Sequence, residues 1–257
     1  MPVVSGSIKI RQVKLKPAFS TFPIETIRDL LFKCCDRYSD RIALKSKKEG
    51  VFQPTSYPDL RRRVEHLAVF FFSLGLEKGD RIALISENRT EWALTYLAAT
   101  TAGFVAVPID KDLNEREIHH ILNFSHARIL VAGGSYVPLG LPGEGVRSAP
   151  ELLVSMEEEA LGANLTFSEA LEKGRRLQSK GLHQYNDATV TPEDLAVLIF
   201  TSGTTGAAKA VMLTHGNITA NVIGTSYHVG INNNDAVSYT HLRAHETSLH
   251  LVCRLLL

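Results

Sequence analysis

The residues with the clearest chemical potential form a run of hydroxyl groups and glycines between two apolar stretches. The segment from Leu195 to Asn217 reads LAVLIFTSGTTGAAKAVMLTHGN. Its candidate ligand-binding positions are Thr201, Ser202, Gly203, Thr204, Thr205, Gly206 and Lys209. Glycines let a backbone turn tightly beside a ligand, and successive N–H groups in such a turn bind anions. Because the lysine adds a mobile positive charge, the segment predicts a phosphate-binding loop.

Two other interpretations of this loop fit less well. A P-loop has the pattern G-x-x-x-x-G-K-[ST], with its lysine directly after a glycine. Here two alanines separate Gly206 from Lys209, and Ala210 stands where a P-loop has Ser or Thr. A flexible linker is the other interpretation, but this loop lies between two apolar runs that predict buried strands. The pattern therefore favours a phosphate cradle held between two strands.

The preceding part of the chain alternates between predicted strands and helices. The segments RIALIS, FVAVPID and ARILVAG predict strands, with one predicted helix between each pair. Strands joined by single helices of this length are typical of parallel pairing. The sequence thus predicts an α/β fold, with a parallel sheet and flanking helices.

Several local signals predict where helices and turns begin. The apolar spacing of PIETIRDLLFKCC and of YPDLRRRVEHLAVFFFS predicts two helices, with Pro58 in the first turn of the second. Between them, KKEG predicts the turn of a β-hairpin. Three later helices are predicted to begin at capping boxes. These boxes pair Asn88 with Glu91, Asn114 with Glu117, and Thr166 with Glu169. The segment 133–145 is predicted to be a loop, and the segment 181–194 a polar connector.

Composition narrows the functional classes. The chain has 257 residues, of which 44% are hydrophobic, and a net charge of +1. This balance gives no electrostatic basis for binding nucleic acid or an anionic membrane. Three cysteines do not form a disulfide framework or a zinc pattern, and neither a secretory signal nor a transmembrane segment is visible. A cytoplasmic protein is expected, and peripheral membrane contact stays open.

The loop and its surroundings resemble a known family. FTSGTTGAAKAVMLTHGN closely resembles the phosphate-binding motif of AMP-forming acyl-CoA synthetases, which belong to the adenylating enzymes. The similarity extends from about Thr26 to about Asp235 and is strongest to the long-chain fatty-acid branch. It implies a partial N-terminal domain of an adenylate-forming enzyme. The family more often has Pro at position 208 and Gly at 210; if Ala210 required a positive φ, it would cost roughly 1–2 kcal/mol.

The resemblance also implies a function for the loop. A fatty carboxylate would attack the α-phosphate of Mg-ATP, and the thiol of CoA would then displace AMP. The seven candidate loop residues would hold the β- and γ-phosphates. ATP, Mg²⁺ and CoA are thus the implied cofactors, while the catalytic residues stay unidentified. The alternatives are a non-catalytic nucleotide-binding module, an acyl–carrier-protein ligase or another adenylating enzyme.

Three regions are expected along the chain. Residues 1–22 form an N-terminal arm, residues 23–236 a partial adenylation domain, and residues 237–257 resemble a translated adapter tail. The family's later motifs for adenine, ribose and the C-terminal catalytic lysine are not found, so this fragment is expected to be inactive alone. Histidines in the tail do not form a metal site, because H-E-x-x-H would need His at position 249, which is Leu249.

Most of the other residues with reactive or charged side chains are interpreted as structural. For His215 a structural, a pocket-lining and a chemical role all remain open. The residues expected to serve packing or solvation alone are Cys34, Cys35, Arg61, Arg62, Arg63, Trp92, His119, His120, Glu157, Glu158 and Glu159.

Overall fold

A computed structural model describes residues 23–48, 50–159, 161–201 and 209–229 of the chain. The proposed arm at 1–22 and tail at 237–257 lie outside these residues and stay predictions. The strands are β1 (Ile42–Lys48), β2 (Val51–Ser56), β3 (Arg81–Ile85), β4 (Val105–Pro108), β5 (Ile129–Ala132), β6 (Leu152–Ser155), β7 (Leu165–Thr166), β8 (Leu195–Thr201) and β9 (Lys209–Thr214). The helices are α1 (Ile27–Arg37), α2 (Tyr57–Ser73), α3 (Thr90–Thr101), α4 (Glu115–Ser125), α5 (Phe167–Ser179), α6 (Gln184–Asp187) and α7 (His215–Val229).

In the described part of the chain, seven strands form the central sheet, in the order β7-β6-β5-β3-β4-β8-β9. Neighbouring strands are parallel except for β8 and β9, which pair antiparallel. β3 pairs with both β4 and β5, and the connecting helices α3 and α4 supply the crossovers. The predicted parallel sheet with flanking helices is confirmed. β1 and β2 form a separate antiparallel hairpin, also as predicted.

The two faces of the sheet carry separate hydrophobic clusters, because successive strand residues point to opposite sides. In β3, Ile82 and Leu84 pack with the cluster that contains α1, α2, α3 and part of α7. Ala83 and Ile85 pack with the second cluster, which α4 and a 3₁₀ helix at Gly134–Gly140 complete. Near-continuous apolar strands are typical of a sheet that is covered on both faces.

Two of the three predicted capping boxes are present, and the third is wrong. Asn114 with Glu117 and Thr166 with Glu169 make the reciprocal bonds. α3 begins at Thr90, and its N-cap is Arg89, which makes no side-chain cap bond. The Arg89 guanidinium contacts Glu91 and Glu157 and donates to the Met156 carbonyl, so the chain stays extended through Arg89.

The segment predicted to be a loop and the segment predicted to be a polar connector each contain a short helix. The 3₁₀ helix Gly134–Gly140 follows β5, and α6 lies in the connector before β8. Each buries an apolar group, Val137 in the first and Tyr185 in the second. The loop prediction for 133–145 was wrong, and neither short helix was predicted, because burial of a single side chain against distant elements leaves no periodic signal in the sequence.

Helices α2 and α5 approach each other closely at a glycine. A Cβ added to Gly174 would lie 1.8 Å from the backbone oxygen of His66. Only a residue without a side chain therefore permits this crossing. Among the helices of the described residues, none combines the length and the apolar character that crossing a membrane requires.

Candidate functional site

The hydroxyl-rich loop closes the antiparallel hairpin of β8 and β9. Thr201 is the last residue of β8, Lys209 is the first residue of β9, and the two are paired directly across the strands. Both are exposed. The intervening candidate residues Ser202, Gly203, Thr204, Thr205 and Gly206 lie outside the described residues. The strand pairing thus brings the first and the last of the seven predicted ligand positions together at the loop end of the hairpin.

The two strands of this hairpin differ in burial. In β8, Ala196 and Val197 are fully buried, and Val197 pairs with Ala106 of β4. In β9, by contrast, Val211 and Met212 are exposed. The prediction of two buried strands is right for β8 and wrong for β9, because in the described part of the sheet β9 pairs with β8 alone. The loop is therefore anchored through one buried strand.

Ala210 is free of the backbone strain that a positive φ at this position would cause. It pairs with Phe200 in the regular register of the hairpin. Within the described residues, positive φ is confined to glycines and His126. Alanine is therefore compatible with the backbone at this position, where the resembling family more often has glycine.

Backbone and ion-pair contacts hold the end of the hairpin that lies opposite the loop. The N–H of His215 donates to the Asp194 carbonyl at 3.0 Å, and the N–H of Gly216 donates to the Pro192 carbonyl at 2.8 Å. Lys78 Nζ lies 2.6 Å from Asp194 Oδ2. Partial burial raises the pKa of Asp194, but hydrogen bonds from Lys78 and a backbone N–H outweigh it and hold that pKa below its ordinary value. The start of β8 and the end of β9 are thus tied together.

Helix α7 begins directly where β9 ends. The Thr214 N–H donates to Asn217 Oδ1 at 3.1 Å, and the Asn217 N–H donates to Thr214 Oγ1 at 3.2 Å. This reciprocal pair has the geometry of a capping box, with Asn in the position usually held by Glu or Gln. The T-x-x-N spacing in LTHGN was therefore the available sequence signal for this helix start.

His215, the first residue of α7, is fully buried. Its Nδ1 accepts a hydrogen bond from the Ile27 N–H at 3.2 Å, while Nε2 finds no hydrogen-bond partner among the described residues. Burial lowers the pKa of His215 to about 4; nearby Asp194 opposes this effect and Lys78 reinforces it. The ring is therefore neutral near pH 7, with its proton on Nε2. Of the roles left open by the sequence, these contacts favour the structural one.

The structure differs from the sequence-based interpretation of one acidic run and one basic run. Glu157 does not belong to a bland connecting segment: it accepts hydrogen bonds from the Arg89 guanidinium and from the Gly134 N–H. The solvated arginine face is only partly correct. Arg62 is exposed, whereas Arg61 is partly covered and its guanidinium lies over the Phe32 ring, 4.4 Å from the ring centroid.

The remaining candidates agree with their structural interpretation. Trp92 stacks on Tyr96, with ring centroids 5.5 Å apart, which confirms a packing role. His119 is buried and His120 is exposed. Cys34 and Cys35 are both buried, and burial raises the pKa of the Cys35 thiol to about 12. Such thiols are poor nucleophiles at neutral pH.

Within the described ranges, no three His, Cys, Asp or Glu side chains gather closely enough to form a metal site. The tail histidines fall beyond those ranges. The described part of the site therefore offers hydroxyl and cationic groups for an anion, from Thr201 and Lys209.

Comparison with known proteins relates this arrangement to curated relatives. Fatty acyl-CoA synthetase A of Dictyostelium discoideum is 31% identical over 195 residues, which cover 73% of this chain and 28% of that protein. Crotonobetaine/carnitine–CoA ligase of Salmonella paratyphi B is 33% identical over 182 residues, covering 70% of this chain and 35% of that one. The chain thus spans about a third of the length of these relatives.

Solved structures share the fold. A long-chain-fatty-acid-CoA ligase from Archaeoglobus fulgidus superposes with a TM-score of 0.71 at 21% identity, over 95% of this chain and 47% of that one. A luciferase-like enzyme from Zophobas morio gives a TM-score of 0.72 at 21% identity, over 94% and 54% of the two chains. The model of a family described as AMP-binding enzyme matches residues 31–256. Since that match covers most of the sequence, this chain belongs to the AMP-binding enzyme family.

Proposed function

We propose that the protein acts in the ATP-dependent activation of a fatty acid, first to acyl-AMP and pyrophosphate and then to acyl-CoA. The observation that carries this proposal is the pairing of Thr201 with Lys209 at the mouth of the hydroxyl-rich loop, in a chain of the AMP-binding enzyme family. The name of the relative from Dictyostelium supports a fatty acid as the carboxylate. We further propose that the preferred fatty acid is a long-chain one.

The loop's contribution is electrostatic. In the first step a carboxylate oxygen attacks the α-phosphorus of ATP, and the bond to the bridging oxygen of pyrophosphate breaks. In the second step the CoA sulfur attacks the acyl carbonyl carbon, and AMP leaves. Lys209, exposed beside Thr201, would neutralise charge on the departing pyrophosphate, and the loop hydroxyls and N–H groups would hold its oxygens. These groups bind and orient, and they form no covalent bond.

Mg²⁺ enters this proposal only as the ion bound to ATP. Because the described residues supply no cluster of metal-ligating side chains, no step is assigned to a protein-held ion. When bound together with ATP, Mg²⁺ would offset the negative charge of the phosphates.

The length of the chain limits what it does alone. It spans 28% to 37% of the curated relatives that it matches. We therefore propose that the 257-residue chain binds ATP weakly and forms no acyl-CoA alone. Acyl-CoA formation by the purified chain would contradict this part of the proposal.

The loop assignment is tested on the chain itself, by following its amide NMR signals during titration with Mg-pyrophosphate in the millimolar range. The signals of β8 and β9 near the loop are expected to shift. Lys209→Ala should weaken the binding by about tenfold or more, since hydrogen bonds to charged groups are among the strongest. Lys45→Ala, which removes another exposed strand lysine, should leave it unchanged. No response at β8 and β9, or equal binding by both variants, would overturn the assignment.

A second carboxylate class is favoured by a specific observation, the 33% identity to a crotonobetaine/carnitine–CoA ligase. The complete gene product, whatever its length, should be assayed for carboxylate-dependent exchange of pyrophosphate into ATP. Exchange with palmitate supports the long-chain proposal, whereas exchange with crotonobetaine and not with palmitate supports this alternative.

A further inference from the structure

Helices α1 and α7 are joined at their N-terminal ends by two hydrogen bonds between residues far apart in the sequence. The Ile27 N–H donates to His215 Nδ1 at 3.2 Å, across a separation of 188 residues. Thr219 Oγ1 lies 3.1 Å from the Glu25 carbonyl oxygen and 3.0 Å from the His215 carbonyl oxygen of its own helix, and its single hydroxyl hydrogen is shared between these two acceptors. Both contacts are at least partly buried. They hold the N-terminal part of α7 against the N-terminal end of α1.

The hydrogen bond from the Ile27 N–H provides an acceptor that the N-terminus of α1 lacks. The first N–H groups of a helix have no carbonyl partner within the helix. Thr26 Oγ1 accepts from the Asp29 N–H and so caps one of them. The His215 ring caps another, that of Ile27, from a different part of the chain. Loss of the ring acceptor would leave a buried N–H without a partner, which is costly.

The same histidine is rigidly connected to the phosphate-binding loop. β9 runs from Lys209 to Thr214, and α7 begins at the next residue, with no intervening loop. The cap between Thr214 and Asn217 fixes this junction. A displacement of the His215 end is therefore transmitted along β9 to Lys209, because a hydrogen-bonded strand does not compress.

We propose that His215 is a positioning residue, which anchors β9 to the N-terminus of α1 and thereby holds Lys209 at the mouth of the loop. The part that concerns Lys209 rests on the proposed function of that lysine. The anchoring itself is independent of it, and each part has its own test.

The geometry demands one protonation state of the ring. Nδ1 accepts a hydrogen bond, so the proton of the neutral ring lies on Nε2. A second proton, on Nδ1, would point at the Ile27 N–H and break the contact. Long-range ¹H–¹⁵N correlation spectra of the wild-type chain should thus show the Nε2–H tautomer at pH 7. A scalar coupling between the Ile27 amide nitrogen and His215 Nδ1, transmitted across the hydrogen bond, is expected as well.

Two substitutions separate the acceptor from the shape of the side chain. His215→Asn keeps an acceptor oxygen near the position of Nδ1, whereas His215→Ala removes it. Exchange of the Ile27 amide and of the β9 amides bonded to β8 should speed up by about tenfold or more in the alanine variant. The asparagine variant should stay within about threefold of wild type. His120→Ala, which removes an exposed histidine of α4, is the matched control and should change neither rate.

The outcomes are distinct. A protonated Nδ1, or the absence of coupling to the Ile27 nitrogen, would overturn the anchoring even if the alanine variant fails to fold. Unchanged β9 exchange in a folded His215→Ala variant would do the same. Weaker binding of Mg-pyrophosphate by His215→Ala, restored in His215→Asn, would support the link to Lys209. If Lys209→Ala itself binds Mg-pyrophosphate as wild type does, the proposed function fails, while the exchange data still decide the anchoring.

Discussion

Arg89 and Glu157, 68 residues apart, form an ion pair that ties the segment after β3 to the segment after β6. Arg89 also donates to the Met156 carbonyl at 2.9 Å, and Glu157 also accepts from the Gly134 N–H. Three strand ends at the same edge of the sheet, those of β3, β5 and β6, are thereby joined by two side chains.

Arg89→Ala should lower the free energy of unfolding by about 1–2 kcal/mol, because it leaves a carbonyl and a carboxylate without their charged donor. Urea denaturation checks this prediction. Arg175→Ala removes an exposed arginine that, among the described residues, forms its ion pair with its helix neighbour Glu172, and it should cost about 0.5 kcal/mol or less. Equal effects of the two substitutions would show that the Arg89 contacts contribute no more than a surface pair.

Gly174→Ala should destabilise the protein by about 1–3 kcal/mol or more, since the added methyl group would collide with the backbone of α2 at His66. Gly224 of α7 is the matched control, because a Cβ there meets nothing within 4 Å. Gly224→Ala should be stabilising by up to about 1 kcal/mol through helix propensity. Thermal or urea unfolding distinguishes the two, and a neutral Gly174→Ala would mean that α2 and α5 can separate at little cost.

Stability should fall as the pH falls below about 6.5, through the titration of His215. Its pKa is lowered from 6.5 in the unfolded chain to about 4 in the folded one. The unfolded state therefore binds the proton first, and the stabilisation that is complete above the unfolded pKa is lost as the pH drops towards 4. From pH 7.5 to pH 5 the loss amounts to about 2 kcal/mol.

The charges around the His215 ring determine the pH range over which this stability is lost. Asp194 favours the proton and Lys78 opposes it. On α1, Arg28 donates to two backbone carbonyls and Asp29 pairs with Lys33. The measurement is urea denaturation at both pH values. Wild type should lose about 2 kcal/mol more than His215→Asn does, and an equal loss in the two proteins would assign the pH dependence to other groups.

Ala210→Gly should destabilise the hairpin by about 0.5–1 kcal/mol, because glycine loses more conformational freedom in a strand and no positive φ at this position offsets that loss. Proteins in the resembling family more often have glycine here, so a stabilising effect would indicate that the backbone favours glycine after all. Unfolding of the two proteins at pH 7 provides the comparison.

Much of the local structure could be predicted from short-range patterns. The capping boxes at Asn114 and Thr166 involve residues only three positions apart, and both form as expected. The capping box at Asn88 does not form, because contacts of Arg89 with the end of β6 keep the chain extended past it. A local pattern therefore held wherever no distant partner competed for the same residues.

In the candidate site, too, some features could be predicted from the sequence and others could not. The hydroxyls, glycines and Lys209, with strands on either side, were visible in the order of the residues, because a tight loop needs only neighbours in the sequence. The low burial of β9 and the position of His215 against Ile27 depend on which strands and helices are adjacent in space. Chain order does not determine that adjacency, since contacts across 188 residues leave no spacing to detect. The sequence by itself determined most of the strands and helices and the chemistry of the candidate loop residues, whereas the tertiary structure alone decided what anchors those residues.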